Sequence, residues 1–237
     1  MKGMSERTGL LIGEEGIERL NNSSVLLVGC GAVGGYALEG LVRAGVGKIR
    51  VVDHDVFSES NMNRQILATT KTLGVPKVNA ACERARSINP NIQIEGLDML
   101  VSPETVPSIL DGDFDLLVDA IDTLGNKIAL LEAASDKGIV TFSSMGAALH
   151  METQAVRIAP LMKTDTCPLA AALRKALRGK DTAKITAVFS IEPPVVKPSE
   201  RDVHGKSILG SMPTVPAVFG MTLANEAIKY ILSREPQ

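Results

Sequence analysis

The stretch that decides the fold is VLLVGCGAVGGYALEGLVRAGVGKIRVVDHD, which spans residues 25–55. It begins with the apolar run Val25–Val28, a pattern typical of a strand buried in a parallel sheet. Residues 32–44 then have the pattern of a helix, and residues 49–53 have that of a second strand. Together these segments predict one strand–helix–strand unit.

The same alternation continues along the chain as far as residue 142. It predicts helices over residues 77–87, from Ser102, and over 126–137, and strands over 92–97, 116–120 and 139–142. Strands that alternate with helices in this way predict an α/β fold. We expect a Rossmann-like, doubly wound and mainly parallel sheet.

The pattern changes after Gly146, where we expect an irregular C-terminal lobe. Strands are predicted over residues 154–158 and 185–191, and a helix over 168–178 that starts with proline and is closed by a glycine. The stretch between residues 193 and 213 is rich in proline, serine and charge, and we interpret it as a mobile loop.

Composition and charge exclude several classes of protein. The 237 residues are 45% hydrophobic and carry a formal net charge of −2, which argues against a globally basic nucleic-acid coat. The N-terminus lacks the apolar core of a signal peptide, and the apolar segment 208–232 is interrupted by prolines and charges. We therefore expect a cytoplasmic protein without a membrane span.

The three cysteines point to a reducing compartment and exclude one kind of metal site. Cys30, Cys82 and Cys167 are widely spaced, and no C-x-x-C pair exists in the chain. A structural zinc held by four cysteines is therefore excluded. We interpret Cys30 and Cys82 as core residues and Cys167 as a structural or incidental cysteine. The alternative for Cys167 is a thioester role, which needs an exposed thiol with a low pKa.

The glycines after the first strand predict a nucleotide site. Gly29, Gly31 and Gly34 form the pattern G-x-G-x-x-G between a predicted strand and a predicted helix. The first allows a tight turn, the second a close approach of backbone to ligand, and the third close packing of helix on strand. Asp53 ends the next strand, where it can accept hydrogen bonds from ribose hydroxyls. By itself this motif suggests NAD.

The segment that follows favours ATP instead. Residues 58–77 carry several polar and cationic side chains, namely Asn61, Arg64, Gln65, Lys71 and Lys77. Cleavage of a triphosphate builds negative charge on the leaving pyrophosphate, which guanidinium and ammonium groups stabilise. Arg64 and Lys77 suit that role, with Asn61 as a neutral donor. Standing alone, the segment would be interpreted as a solvated loop with ordinary surface cations.

A second acidic element follows the strand predicted over residues 116–120. Asp119 falls within the buried pattern, whereas Asp122 lies just beyond the carboxyl end of the strand. Ligands of open α/β sheets bind at that edge, and carboxylate oxygens are suitable ligands for Mg²⁺. The alternative role for Asp122 is to cap the helix that follows. Spacing alone leaves both readings open.

Several of these stretches together resemble the ubiquitin-activating-enzyme-like (ThiF/MoeB/HesA) adenylyltransferase superfamily. The matching features are Arg7 followed by Gly13 and Gly16, then GCGAVG, DHD, SNMNRQ, Lys77 and DAID. The resemblance implies that ATP adenylates a carboxylate and that pyrophosphate is released. It also implies one adenylation domain over residues 1–237, with a nucleotide-binding part over 1–145 and a substrate and dimerisation lobe over 146–237.

The resemblance assigns a role to each matching residue. Asp53 corresponds to the ribose-binding acid, with Asp55 of the same DHD stretch in the nucleotide site, and Asp122 to the acid that binds Mg²⁺. Asn61, Arg64 and Lys77 correspond to the residues that contact phosphate. Arg7 matches an arginine that reaches into the ATP site of the partner subunit, which implies a homodimer.

Other stretches indicate a branch of this superfamily. Members that activate the C-terminal glycine of a sulfur-carrier protein usually have two C-x-x-C pairs, and this chain has none. The stretches RSINP, SSMGAA, CPLAAALRKALR, FSIEPP and PAVFGMTLANEAIK instead resemble the tRNA threonylcarbamoyladenosine dehydratases. That branch uses ATP to adenylate the threonyl carboxylate of the modified adenosine, and a ring then closes with loss of AMP.

Two other functions stay open on the sequence alone. One is activation of a sulfur-carrier protein, and the other is an NAD-dependent oxidoreductase or nucleotide-sensing module, against which Arg64, Lys77 and Asp122 weigh. Whether a sulfurtransferase or desulfurase partner takes part, and whether a monovalent cation organises a loop, also stay open.

A basic helix is the candidate surface for tRNA. In the stretch LRKALRGKDTAK, residues 173–184, Leu173 and Leu177 lie one turn apart and are expected to face the core. Arg174, Lys175 and Arg178 are then left for phosphate contacts. The alternative is an ordinary solvated helix face.

Overall fold

A computed structural model of the chain describes residues 3–197, 201 and 208–234. Seven α-helices are described, α1 Glu6–Asn21, α2 Gly34–Ala44, α3 Lys77–Ile88, α4 Val106–Ile109, α5 Leu124–Asp136, α6 Pro168–Ala176 and α7 Thr214–Ser233. Seven strands are described, β1 Ser24–Val28, β2 Lys48–Asp53, β3 Gln93–Asp98, β4 Leu116–Asp119, β5 Thr141–Ser144, β6 Val156–Pro160 and β7 Ile185–Ser190.

The strands form one sheet, in the order β3-β2-β1-β4-β5-β7-β6. All neighbouring pairs are parallel except β6 and β7. The order reverses between β1 and β4, and Val28 at the end of β1 is in register with both Val52 and Asp119. The carboxyl ends of β1, β2 and β4 therefore lie level, at the switch point where open α/β sheets bind ligands.

Alternate residues of β1 explain why the sheet carries helices on both faces. Val25 and Leu27 pack into a core cluster with α2, α3 and α7, whereas Leu26 and Val28 pack with α4 and α5. All four side chains are completely buried. Burial of each such side chain contributes about 1.5–3 kcal/mol relative to exposure, which accounts for the apolar run from Val25 to Val28. The predicted doubly wound α/β fold is confirmed.

The C-terminal part of the chain extends the same sheet. Strand β7 pairs in parallel with β5, and β6 pairs antiparallel with β7 at the edge. A third apolar cluster fills the space between α6 and this end of the sheet. The lobe expected after Gly146 thus has no sheet of its own, and the predicted loop over residues 193–213 lies partly outside the described residues.

Two local features differ from the sequence prediction. The strand predicted over residues 139–142 is observed over Thr141–Ser144, because buried hydroxyl residues, not the apolar Ile139 and Val140, form most of its length. Helix α1 had no counterpart in the prediction, and Gly13 interrupts it with a φ of 75°. In the described part of the chain, no helix combines the length and the hydropathy needed to cross a membrane.

Candidate active site

The candidate site lies at the switch point, where the loop after β1 meets the turn after β4. Gly29 has a φ of +96°, and a Cβ there would lie 2.9 Å from the carbonyl of Ala120. A Cβ on Gly34 would lie 1.8 Å from the carbonyl oxygen of Gly29. Both glycines are therefore required by the protein's own packing, as their places in the motif predict.

Gly31 is different from these two glycines. Its φ is not positive, and an added Cβ would meet only the side chain of Gln65, at 3.9 Å, which is an ordinary contact. The protein alone has room for a side chain at this position. Packing within the protein therefore does not explain the glycine at this position.

Asp53 fixes the glycine loop to the end of β2. Its Oδ2 accepts a hydrogen bond from the amide of Cys30 at 2.6 Å, and its Oδ1 accepts one from the amide of Asp55 at 2.9 Å. The thiol of Cys30 is fully buried, and this burial, together with Asp53, raises its pKa well above the ordinary value. Cys30 is thus an inert core residue, as expected from the sequence.

Asp55 and Lys77, both predicted to contact the nucleotide, contact each other. The Lys77 Nζ lies 2.9 Å from Asp55 Oδ2, and the Lys77 side chain is only 7% exposed. The positive charge of Lys77 also lowers the pKa of Cys30, against the larger effects of burial and Asp53. Lys77 therefore places its charge close to the glycine loop.

The loop that carries Asn61 and Arg64 is closed at its base by a bridge between Val56 and Pro76. The Oδ1 of Asn61 accepts a hydrogen bond from the Ser58 amide at 3.1 Å, which caps a single turn of 3₁₀ helix. The Arg64 guanidinium donates to the Ser60 carbonyl at 2.8 Å. Both predicted phosphate contacts thus belong to an internally hydrogen-bonded loop.

This loop also contacts two other parts of the chain. The Asn63 side chain donates to the carbonyl of Ser211 at 3.0 Å, just before α7. Gln65 is buried against Gly31, and its Oε1 is a buried oxygen without a hydrogen-bond partner. Gln65 is one of the polar residues of the segment 58–77, but nothing in the local pattern singles it out. Its burial and its contact with the glycine loop now do so.

Asp119 and Lys127 form a fully buried ion pair beneath the turn after β4. The Lys127 Nζ lies 2.6 Å from Asp119 Oδ2, and both side chains are completely buried. Lys127 also donates to the carbonyl of Ile121 at 3.0 Å, and Ser143 donates to Asp119 Oδ2 at 2.7 Å. The sequence predicted burial of Asp119 but not its partner, because the pattern of α5 does not show where Lys127 points.

Asp122 is exposed at the carboxyl edge of the sheet, directly after this turn. The N-cap of α5 is Thr123, so the alternative position for Asp122, the cap itself, is taken by its neighbour. An exposed carboxylate beside the switch point suits Mg²⁺, which typically takes one or two carboxylates and fills its remaining positions with phosphate and water. The ligand atoms of Asp53, His54 and Asp55 also lie within 4.8 Å of one another. Asp53 accepts two backbone amides and Asp55 pairs with Lys77, while Asp122 accepts a hydrogen bond from the Thr123 hydroxyl at 3.3 Å.

Arg7 lies on the exposed side of α1, together with two exposed leucines. Leu10 is 84% exposed and Leu11 is 87% exposed. Large apolar side chains that protrude side by side typically mark a surface covered by another molecule.

The predicted basic surface of α6 is only partly free. Leu173 and Leu177 are buried as predicted, and Arg174 is half-buried, with Nη1 2.6 Å from Thr164 Oγ1. Lys175 and Arg178 are exposed. Further along the run, Lys180 pairs with Glu132 and Lys184 donates to the carbonyl of Gly138. Cys167, at the N-cap of α6, is buried.

Comparisons with known proteins agree with this arrangement. A Bacillus subtilis protein named tRNA threonylcarbamoyladenosine dehydratase is 40% identical over 191 residues, which cover 80% of this chain and 75% of that protein. The crystal structure of the E. coli tRNA N6-threonylcarbamoyladenosine dehydratase in complex with ATP matches with a TM-score of 0.86 at 30% identity, over 96% of this chain and 93% of that chain. A sulfur carrier protein adenylyltransferase from Thermus thermophilus is 31% identical over 231 residues, which cover 93% of this chain and 73% of that protein. Residues 6–237 match the ThiF family, and the chain therefore belongs to that family.

Proposed function

We propose that this protein is an ATP-dependent dehydratase that converts N6-threonylcarbamoyladenosine in tRNA to its cyclic form. One observation carries the proposal: at the β1/β4 switch point the glycine loop packs against the turn that precedes Asp122, and the buried Lys77 pairs with Asp55 just beyond the end of the neighbouring strand β2. A redox dinucleotide needs no such cation beside its pyrophosphate, whereas a triphosphate that is cleaved does. The Bacillus subtilis and E. coli relatives carry the name of this activity.

Different residues of the site bind different parts of ATP. The glycine loop, Gly29–Gly34, brings its backbone close to the nucleotide, and Asp53 accepts hydrogen bonds from the ribose hydroxyls. Asn61, Arg64 and Lys77 contact the phosphates. For Lys77 to do so, its ammonium exchanges Asp55 for phosphate or is shared between the two, which keeps Asp55 in the nucleotide site. Asp122 holds Mg²⁺, which when bound neutralises charge on the phosphates.

The first chemical step is transfer of AMP to the substrate. The carboxylate of the threonyl group attacks the α-phosphorus, the bond from that phosphorus to the bridging oxygen of the leaving group breaks, and pyrophosphate departs. Negative charge grows on the pyrophosphate as it leaves, and the cations of Arg64 and Lys77 stabilise it. The product is an acyl adenylate.

The second step needs no nucleophile from the enzyme. The carbamoyl group is already tethered beside the activated carbonyl, so it attacks that carbon, AMP leaves with the former carboxylate oxygen, and one proton is lost. A tethered nucleophile has a high effective concentration. This agrees with the buried positions of Cys30, Cys82 and Cys167.

We place the tRNA on the side of the sheet that carries α6, with Lys175 and Arg178 as phosphate contacts and Arg174 in a supporting role. Support comes from the exposure of Lys175 and Arg178 above the buried face of the helix. Binding of tRNA should then weaken steeply with salt, because phosphate contacts release counterions.

We also propose a homodimer in which each Arg7 completes the ATP site of the other subunit. The two protruding leucines on the same helix support this arrangement. We further place the reaction in the cytoplasm, as supported by three cysteines that are all free thiols. In this proposal the whole chain acts as one adenylation domain, and a sulfurtransferase or desulfurase partner is not needed for the chemistry.

A second candidate function is activation of the C-terminal glycine of a sulfur-carrier protein. The similarity to the Thermus thermophilus adenylyltransferase favours it. The same site would then adenylate a peptide carboxylate. The higher identity to the Bacillus subtilis dehydratase and the lack of C-x-x-C pairs favour the tRNA substrate.

The test is to incubate the purified protein with ATP, Mg²⁺ and tRNA that bears threonylcarbamoyladenosine, and then to weigh the nucleosides after gentle digestion. We expect a nucleoside lighter by one water, formed together with AMP and pyrophosphate. Asp122→Ala should abolish it, whereas Asp136→Ala, an exposed acid at the other end of α5, should not.

The remaining outcomes separate the alternatives. An unchanged nucleoside with intact exchange between ATP and pyrophosphate would replace the tRNA substrate by another carboxylate, and a trapped carrier-protein adenylate would identify it. No consumption of ATP at all would reject adenylation.

A further inference from the structure

We infer that Lys127 is a positioning residue for the Mg²⁺–ATP site, which it organises from beneath through Asp119 and the turn that carries Asp122. The inference rests on the proposed role of Asp122. It adds a residue that contacts neither the nucleotide nor the ion.

The first observation is that burial of the Lys127 ammonium costs free energy. Lys127 lies in the first turn of α5, where the positive end of the helix dipole disfavours a cation, and its side chain is completely buried. A buried charge of this kind is tolerated only when it is paired, and Asp119 supplies the pair at 2.6 Å. Uncharged side chains at both positions would avoid these penalties. The charge is therefore explained by what it holds in place.

The second observation is what the ammonium contacts. Its Nζ donates to the carbonyl of Ile121 at 3.0 Å, while the amide of the same residue donates to Asp119 Oδ1 at 3.2 Å. Both polar groups of the Ile121 backbone are thus held by the two members of the ion pair. Asp122 is the next residue, so its backbone has a defined direction although its side chain is exposed.

The third observation connects the pair to the glycine loop. The Cα of Gly29 faces the carbonyl of Ala120 and the side chain of Ile121, so that an added Cβ would lie 2.9 Å and 3.2 Å from them. The turn held by Lys127 is therefore one wall of the nucleotide loop. A shift of this turn would move Asp122 and the glycine loop relative to each other.

The alternative is that the pair only stabilises the fold. The two roles differ in one measurable quantity, the gain in ATP affinity that Mg²⁺ provides. A merely structural residue lowers stability without changing that gain, whereas a residue that positions Asp122 changes the gain itself. Supporting residues of metal sites typically change metal affinity about 10–100-fold.

The experiment measures binding of a non-hydrolysable ATP analogue by calorimetry, with Mg²⁺ and with EDTA. We expect Lys127→Met to reduce the Mg²⁺-dependent gain by about tenfold or more. Lys137→Met is the matched control, because Lys137 follows the same helix and donates to the carbonyl of Leu110, away from the switch point. It should leave the gain unchanged.

A double-variant cycle tests whether Lys127 acts through Asp122. If it does, Lys127→Met should have little further effect on the gain once Asp122→Ala is present. A full gain in folded Lys127→Met, or losses that add in full with Asp122→Ala, would overturn the inference. The inference would also be overturned if the wild-type protein bound the analogue no more tightly with Mg²⁺ than with EDTA. That result would contradict the proposed role of Asp122 in binding Mg²⁺ as well.

A second variant covers the case in which Lys127→Met does not fold, because it leaves Asp119 unpaired. The double substitution Asp119→Asn with Lys127→Met removes both buried charges and should lose the same Mg²⁺-dependent gain. The assay needs no tRNA and no carrier protein. If the dehydratase proposal failed, the binding result would still test the role of Lys127. If the role of Lys127 were rejected, the dehydratase proposal would still stand.

Discussion

The glycines of the loop 29–34 are explained by different physical requirements. Gly29 and Gly34 are demanded by the fold, since a methyl group at either position would overlap backbone atoms of Ala120 or Gly29. Gly31 meets no such obstacle in the protein. The motif therefore combines two glycines that packing requires with one that packing does not require, and for the latter we propose contact with the nucleotide.

This distinction predicts the effect of Gly31→Ala. Stability should stay within about 0.5 kcal/mol or rise slightly, because the backbone is not in a conformation reserved for glycine. Affinity for ATP should fall by about tenfold, or ~1.4 kcal/mol, since the added methyl occupies the space for the nucleotide. Denaturant unfolding and calorimetry measure the two effects. As a control, Gly34→Ala should destabilise the fold. An unchanged ATP affinity in Gly31→Ala would contradict the proposal that Gly31 contacts the nucleotide.

At the scale of elements, helices α2 and α3 are joined by a largely buried acid. Glu39 accepts hydrogen bonds from Arg84 at 2.7 and 2.9 Å and from Arg43 at 2.7 Å. Burial alone raises the pKa of Glu39, but the hydrogen bonds from the two arginines outweigh burial and leave the pKa below its ordinary value. The carboxylate form is therefore the one that stabilises this contact.

The pH dependence of stability follows from the lowered pKa of Glu39. Its contribution is fully present above the unfolded-state pKa of about 4.3 and is lost as the pH falls through the lower folded-state pKa. We expect Glu39→Gln to lower the free energy of unfolding by about 1.5 kcal/mol at pH 7. The difference from wild type should shrink as the pH falls below about 4.

Urea titrations of both proteins at several pH values measure that difference. Glu132→Gln is the control, because Glu132 forms a partly exposed pair with Lys180, and such pairs contribute little. A difference that stays constant down to acid pH would show that the charge of Glu39 is not what joins the helices.

At the scale of the whole molecule, the proposed dimer makes a prediction about mixed subunits. If Arg7 serves the partner's site, a dimer of Arg7→Ala and Asp122→Ala subunits contains one complete site, although each variant alone has none. Mixing the two inactive variants under conditions of subunit exchange should restore up to about a quarter of wild-type activity, since half of the dimers are mixed and each has one working site.

The dehydration assay on the mixture measures this recovery, with each variant alone as the control. A mixture as inactive as its components, in dimers shown to have exchanged subunits, would mean that Arg7 acts within its own subunit or not at all.

The local sequence pattern predicts much of this fold because the central strands of the sheet are buried on both faces. An apolar run such as Val25–Val28 has to lie inside a sheet, and the helix and strand after it are set by the same periodicity. The predicted bounds of β5 were wrong by two residues, because most of the observed strand consists of buried serine and threonine residues. Whether a hydroxyl side chain is buried depends on residues that are distant in the chain, and a local sequence pattern does not include them.

The sequence by itself determined the doubly wound fold, the glycine loop at its first turn and the family. These depend on residues close together in the chain, whose spacing alone sets a strand, a turn or a helix start. The tertiary structure alone decided that Asp53 holds the amide of Cys30, that Asp55 pairs with Lys77 and that Lys127 lies beneath Asp122. It also decided that β6 and β7 extend the first sheet. Such contacts depend on which strands become neighbours and in what register, and that outcome is set by packing of the whole chain.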